Sequence, residues 1–512
     1  MTLVDSGIAD LLIIGGGING TGIARDAAGR GLKAIMVERS DLASATSSAS
    51  TKLIHGGLRY LEYYEFRLVR EALSEREVLL AAAPHIIWPL RFVLPHDKSL
   101  RPAWMIRIGL FLYDHLGGRK LLPPSKRVSL SRPPYSSGLK AGIHEIGFEY
   151  SDCWVNDARM VVLNAIDARE RGAQILTRTS CISARREGGI WVAELQAEDG
   201  TRRTVRAKAL VNATGPWAGE FVSRQLGINE AATLRLVKGS HIIVDRLYEG
   251  DHAFILQNAD RRIVFTIPYE GKFTLVGTTD VPYEGDPAKV AISGDETQYL
   301  CDLVNRYFAK SIAPKDVVWN YSGVRPLFDE GGSESASAVS RDYVLELEDE
   351  SGKAPLLNIF GGKITTFRRL SEHALQKLKP FFPEARGDWT KGAALPGGDI
   401  ANANFEAFAA EQARRYPWLM PAHVRRLCRA YGTRISRVIG EARAIGDLGR
   451  HFGGDLYEAE VRYLKDQEWA ASAEDVLWRR SKLGLHVPAG TADALRAWFT
   501  DQGQPARSTA AS

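Results

Sequence analysis

The spacing of apolar residues divides the chain into segments of different kinds. Residues 10–14 and 32–38 are short apolar runs on either side of a helical stretch, 18–30, which predicts one β-α-β unit. Residues 58–83 carry helical periodicity up to Pro84, and 104–116 predict a second, strongly apolar helix. The Pro- and Ser-rich stretch 121–135 predicts a loop, and 157–171 a helix behind an Asn/Asp cap. Strands are expected at 174–179, 190–196 and 201–207, and a short apolar one at 209–213 ends in Thr214-Gly215. Between 233 and 282 the pattern alternates in the β manner, at 241–244, 262–267 and 273–277. Residues 356–360 predict one more buried strand, followed by a glycine turn and a helix from Thr365. From Asn404 onward the spacing is helical, and 502–512 predict a disordered tail.

The fold class that follows is α/β (α+β). A Rossmann-like dinucleotide-binding domain is expected over 1–390. An inserted, mainly antiparallel β-sheet substrate (cap) domain is expected near 85–155 and 225–345, and an all-α domain over 391–500.

Composition narrows the class. The 512 residues are 45% hydrophobic and 25% charged, a globular balance that excludes a disordered chain. A net charge of +5 leaves nucleic acid optional, and the basic pairs Arg425-Arg426 and Arg479-Arg480 sit among acids and aromatics rather than in a positive stripe. No nucleic-acid partner is therefore expected. The four cysteines, Cys153, Cys181, Cys301 and Cys428, form no CxxC pair, so neither a disulfide framework nor a metal site is expected. No apolar run reaches the roughly 18 residues of a spanning helix, so any membrane contact is expected to be peripheral, on a cytoplasmic protein.

The sharpest motif is Gly15-Gly16-Gly17-Ile18-Asn19-Gly20, a GxGxxG frame between strand and helix. Such a turn lets a pyrophosphate approach bare backbone at a helix N-terminus. Glu38 ends the second strand close to the position, roughly 20 residues on, where an acid accepts from ribose hydroxyls. Two further glycine turns, Val211–Gly215 and Phe360–Thr365, favour FAD over a nicotinamide cofactor, because a flavin spans a longer path and meets several loops. Expected cofactor contacts are Gly15, Gly17, Ile18, Asn19 and Gly20 in the first turn, with Glu38 and Arg39 after the second strand. The hydroxyl-rich stretch is expected to add Thr46, Ser47, Ser48, Ser50, Lys52, Leu53, His55 and Gly57. Gly215, Gly361, Gly362, Lys363, Ile364 and Thr365 complete the set.

The stretch from Ser47 to Tyr60 joins hydroxyls to a histidine, two glycines and an arginine. His55 has the reference pKa of a general base near neutrality, and Arg59 can grip a phosphate through two donors. Taken alone, each of these residues is also compatible with a structural role. The segment 101–113, with Arg101, Arg107 and nearby Arg119, is compatible with a lipid interface or with a buried helix.

ATSSASTKLIHGGLRYLE, GFEYSDCWVND, VNATGPW, KGSHI, GTTD, YSGVRP and FGGKITT resemble the FAD-dependent, aerobic glycerol-3-phosphate dehydrogenase family along nearly the whole chain. The resemblance implies oxidation of sn-glycerol 3-phosphate to dihydroxyacetone phosphate, non-covalent FAD, and reoxidation by a membrane quinone (ubiquinone or menaquinone). It implies substrate contacts from Arg59, Tyr60, Arg325 and Lys363, with Arg325 and Lys363 also catalytic, and His55 or His241 as the base. It further implies a homodimer held peripherally at an anionic membrane surface, the inner face of the cytoplasmic membrane. The rival within the fold is an oxidase that passes electrons to oxygen and releases peroxide.

Overall fold

A computed structural model describes residues 7–96, 102–118, 120–142, 145–228, 234–258, 262–328 and 342–503, apart from the side chains of Arg59, Glu62 and Tyr63. The first sheet is built on β1 (Ile8–Ile14), whose Leu11, Leu12 and Ile13 are fully buried, as a parallel strand covered on both faces requires. It is flanked by β2 (Ala34–Val37) and β10 (Arg202–Asn212), both parallel to it. Outward from β2 lies β7 (Gln174–Leu176), and outward from β10 lie β18 (Lys353–Phe360) and β17 (Val344–Glu350). Helix α1 (Ile18–Gly29) runs from the glycine turn after β1. It packs in one core with α4 (Asp157–Glu170) and α7 (Phe367–Leu378).

Four local expectations need correction. Residues 202–212 form one strand rather than two, since Lys208 interrupts only the apolar pattern and its ammonium reaches Asp10 at 2.8 Å. The stretch 174–179 is split by Arg178 (φ 51°), after which β8 (Thr179–Glu187) begins. The 58–83 helix breaks at Tyr64 (φ 59°) into a tight turn, Leu58–Tyr63, and α2 (Phe66–Ala82). The 121–135 loop contains β5 (Lys126–Ser129), which pairs with β6 (Ile146–Val155).

The second sheet is mostly antiparallel and runs in the order β15-β11-β14-β13-β12-β4-β6-β3. Its strands are β3 (Leu53–Ile54), β4 (Ile87–Pro95), β11 (Leu234–Asp245), β12 (Ala253–Gln257), β13 (Ile263–Tyr269), β14 (Phe273–Gly277) and β15 (Val281–Pro282), with β16 (Val317–Phe328) also on β11. Because β3 follows the hydroxyl-rich loop, that loop is suspended between the two sheets. Helix α3 (Ala103–Leu116) lies beside α2 and the Leu58–Tyr63 turn.

A separate core holds the C-terminal helices, among them α8 (Phe405–Arg415), α9 (Pro421–Tyr431) and α11 (Glu458–Glu468). Buried ion pairs join it to the first sheet's helices and loops: Arg159 to Glu468, and Arg480 to Asp41 at 2.7 Å. The last helix, Thr491–Gly503, continues past the expected start of the tail, and 504–512 lie outside the described residues.

Candidate active site

One elongated cavity of about 1650 Å³ runs from the first glycine turn to the face of the second sheet. At its start Gly15 has φ 114°, and a Cβ there would sit 2.4 Å from the Ala213 carbonyl oxygen. Gly20 does not line the cavity. A Cβ on it would sit 1.9 Å from the Gly15 oxygen, so it allows strand and helix to close on each other. Gly17 caps α1 without a side-chain partner, and the Ile18 amide is taken by Ser47 Oγ at 3.0 Å. The positive end of α1 therefore faces the cavity, as an anionic pyrophosphate requires.

Glu38 lines the same end. Its carboxylate accepts the Gly16 and Ser40 amides at 2.7 and 2.8 Å, and burial pushes its pKa up. Arg39 stacks on Trp217 at 4.0 Å. Asn19 donates to the Gly361 carbonyl at 3.1 Å, while its own buried oxygen has no partner among the described residues. Gly215 and Gly362 adopt φ 60° and 96°, backbone that favours glycine. A long cavity, a helix N-terminus facing it and three converging glycine turns fit an extended dinucleotide such as FAD.

Of the expected cofactor contacts, Gly20 and Lys52 do not line this cavity. Lys52 is a correction: its ammonium is buried and held by Asp157 (2.9 and 3.0 Å) and the Ser48 carbonyl (3.0 Å). It braces the loop rather than the cofactor. Asp157 also accepts from the Ser50 hydroxyl at 2.7 Å, so a single carboxylate at the start of α4 shapes the hydroxyl-rich turn.

At the far end the structure brings together His55, Tyr60, His241, Arg325 and Lys363. Remote segments are tied there by hydrogen bonds: the His55 amide to Thr365 Oγ1 at 3.3 Å, and Thr46 Oγ1 to the Val324 carbonyl at 2.7 Å. Lys363 Nζ lies 4.3 Å from the Tyr60 ring centre. Arg325 pairs loosely with Asp280 at 3.5 Å and keeps about a third of its side chain exposed to the cavity (38%). The backbone of Arg59 lies in the adjoining turn, but its side chain falls outside the described residues.

His241 differs from His55 in setting. Its Nε2 bonds Thr51 Oγ1 at 2.9 Å, its ring stacks on Tyr321 at 4.7 Å, and its Nδ1 has no partner among the described residues. Burial, with Lys52 and Arg325 nearby, holds its pKa well below the usual imidazole value, so the ring is neutral at pH 7.

Several lining residues carried no signal in the sequence. Gln257 ends β12 without a distinctive neighbourhood, and Thr51 and Asp280 lie in loops inside the hydroxyl-rich and GTTD motifs, where nothing local singles them out. Trp478, Arg479 and Lys482 reach the cavity from the C-terminal helices, and burial pushes Lys482 down to about 7. Among the described residues there is no helix long and apolar enough to cross a membrane and no cluster suited to a metal ion.

Helix α3 lines one side of the cavity and turns an apolar face outward: Trp104, Ile108 and Phe111 are 63%, 53% and 57% exposed. The expected basic flank can be followed at Arg107 and Lys120, both exposed, while Arg101 and Arg119 lie outside the described residues.

Comparison with known proteins places this geometry among flavoproteins. A family described as FAD dependent oxidoreductase matches residues 10–368, and one described as the C-terminal domain of alpha-glycerophosphate oxidase matches 389–499. The chain is 55% identical to D-erythritol 1-phosphate dehydrogenase of Brucella abortus, over 96% of this chain and 97% of that protein. It is 57% identical to glycerol-3-phosphate dehydrogenase of Pseudomonas aeruginosa, over 94% and 93%. The solved glycerol-3-phosphate dehydrogenase of Bacillus halodurans, complexed with FAD, superposes with a TM-score of 0.78 at 26% identity, covering 98% of this chain and 91% of that one.

Proposed function

Since the chain belongs to the FAD-dependent glycerol-3-phosphate dehydrogenase family, we propose that it oxidises sn-glycerol 3-phosphate to dihydroxyacetone phosphate and passes the electrons to a membrane quinone. The observation that carries this is the meeting of Arg325, Lys363 and Tyr60 with His55 at one end of the flavin cavity. A phosphate dianion needs cationic anchors, and Arg325 and Lys363 supply them beside the turn that bears Arg59. His55 takes the proton of the substrate's C2 hydroxyl. Bound FAD supplies the acceptor for the C2 hydride. Tyr60, beneath the Lys363 ammonium, keeps that charge oriented toward the cavity. His241, tied to Thr51 and made a weaker base by burial and by nearby Lys52 and Arg325, orders the wall in this reading.

The exposed apolar face of α3, with Arg107 on the helix, supports peripheral attachment at the inner face of the cytoplasmic membrane. Because α3 also lines the cavity, a lipid-dissolved quinone would approach from that side. We further propose a homodimer.

The Brucella relative favours a second reading, oxidation of the four-carbon D-erythritol 1-phosphate at the same site. Anaerobic addition of each substrate to the purified yellow protein separates the two, since bleaching at the lower concentration marks the preferred one. Under air, rapid quinone reduction with little peroxide supports the quinone acceptor. Stoichiometric peroxide with no quinone rate identifies oxygen instead.

A further inference from the structure

One buried hydroxyl ties the substrate loop to α3. Tyr113 projects inward from α3, and its hydroxyl donates to the Asp152 carboxylate at 2.8 Å to either oxygen. The same hydroxyl accepts the Gly56 amide at 2.8 Å. Asp152 is balanced by Arg76 of α2 at 2.7 Å, and Arg76 also holds the Ser151 carbonyl at 2.6 Å. Tyr113, Asp152 and Arg76 are all buried, so the hydroxyl has no water to exchange its partners for. Burial beside Asp152 pushes the phenol well above its usual pKa, so it keeps its proton.

Gly56 has no slack against this contact. A Cβ there would sit 2.7 Å from the Tyr113 oxygen and 2.3 Å from Leu73 Cδ2. Gly56 follows His55 directly, and Gly57 then turns left-handed (φ 73°) into Leu58–Tyr63, the turn carrying Arg59 and Tyr60. The position of one amide thus sets both the proposed base and the proposed phosphate contacts. In α3 only Leu110 and Tyr113 are fully buried, and of these two Tyr113 also holds this loop.

We propose that Tyr113 is a positioning residue of the substrate site, its hydroxyl fixing the Gly56 amide and through it the approach of His55 and Tyr60 to the substrate. This rests on the substrate role of the 55–60 loop given above.

The test is Tyr113→Phe in the full-length, FAD-loaded protein, assayed with a soluble dye acceptor. Tyr248→Phe is the control. Tyr248 is also buried, and its hydroxyl bonds the His252 and Thr266 carbonyls at 2.9 Å within a different core. Phenylalanine keeps the ring volume, so flavin content and folding are retained. For Tyr113→Phe the KM for the phosphorylated substrate rises roughly tenfold, with a smaller change in kcat. Tyr248→Phe lowers the melting temperature comparably and leaves KM unchanged. Wild-type constants in Tyr113→Phe, or an equal KM rise in Tyr248→Phe, overturn the proposal. Wild-type flavin that neither polyol phosphate reduces overturns the substrate assignment before any variant is compared, which separates the two failures.

Discussion

Helices α3 and α4 are both 14 residues long, and the more apolar one is the more exposed. α4 (DARMVVLNAIDARE) is buried without a break from Asp157 to Ala168, charges included. Each of those charges has a partner: Asp157 holds Lys52, Arg159 holds Glu468, and Asp167 holds Arg25 at 2.6 Å. α3 (AWMIRIGLFLYDHL) buries only Leu110 and Tyr113 and shows Trp104, Ile108 and Phe111 to the outside. Burial follows position in the fold rather than hydrophobicity. A helix between two cores can bury charges if each is paired, and an apolar helix at the edge keeps its face for something else.

Removing the buried charge pairing of α4 has the largest expected effect. Arg159→Ala strips Glu468 of its bidentate partner in the interior and leaves it only Arg480, 4.0 Å away, at a cost of about 3 kcal/mol, read by thermal or denaturant unfolding. A loss below about 1 kcal/mol would mean that the pairing contributes little to α4.

The next effect is in acid. His85 is fully buried, both its ring nitrogens lack partners among the described residues, and burial beside Arg159 and other arginines pushes its pKa down to about 3. Because the folded pKa lies below the unfolded value near 6.5, the unfolded chain binds the extra proton between these limits. Stability is therefore intact above 6.5 and falls as pH drops, by about 1.4 kcal/mol per unit from this one group. His85→Gln flattens that slope. Equal slopes in wild type and His85→Gln would contradict the assignment.

On α3, Arg107→Glu weakens association with anionic vesicles by about 2 kcal/mol or less, since one positive charge near such a surface contributes about 1 kcal/mol. Unchanged sedimentation with vesicles would remove this helix as the anchor.

The smallest effect is on folding. Trp104→Ser, Ile108→Ser and Phe111→Ser change stability by less than about 0.5 kcal/mol each, because these side chains pack on little. A substantial loss in any of them would show that α3 is a core helix like α4.

The sequence made the cofactor end legible because its chemistry is local. Gly15, Gly17 and Gly20 are fixed by the backbone of one turn, and Glu38 by the strand that follows. The far end was legible only as separate motifs. His55 lies hundreds of residues from Arg325 and Lys363, and their meeting depends on the crossing of two sheets. Lys52 was misassigned because its partner Asp157 stands 105 positions away. Lys482 and Trp478 were missed because nothing local marks a helical turn that docks against another domain's cavity. For 104–116 the period predicted the helix, but an almost uniformly apolar stretch has no polar face to say which side is outside. The break at Tyr64 escaped for a related reason: helical spacing continued across it.

In the proposed reaction the cations and His55 at the end of the cavity present a polyol phosphate's secondary alcohol to bound flavin. The direct measurement is the visible spectrum of the purified, FAD-loaded protein without oxygen, titrated with sn-glycerol 3-phosphate. The flavin band bleaches with wild type, and Lys363→Ala or Arg325→Ala requires at least about tenfold more substrate for the same bleaching. A flavin that bleaches equally well in both variants, or one that glycerol 3-phosphate leaves oxidised in the wild type, contradicts it.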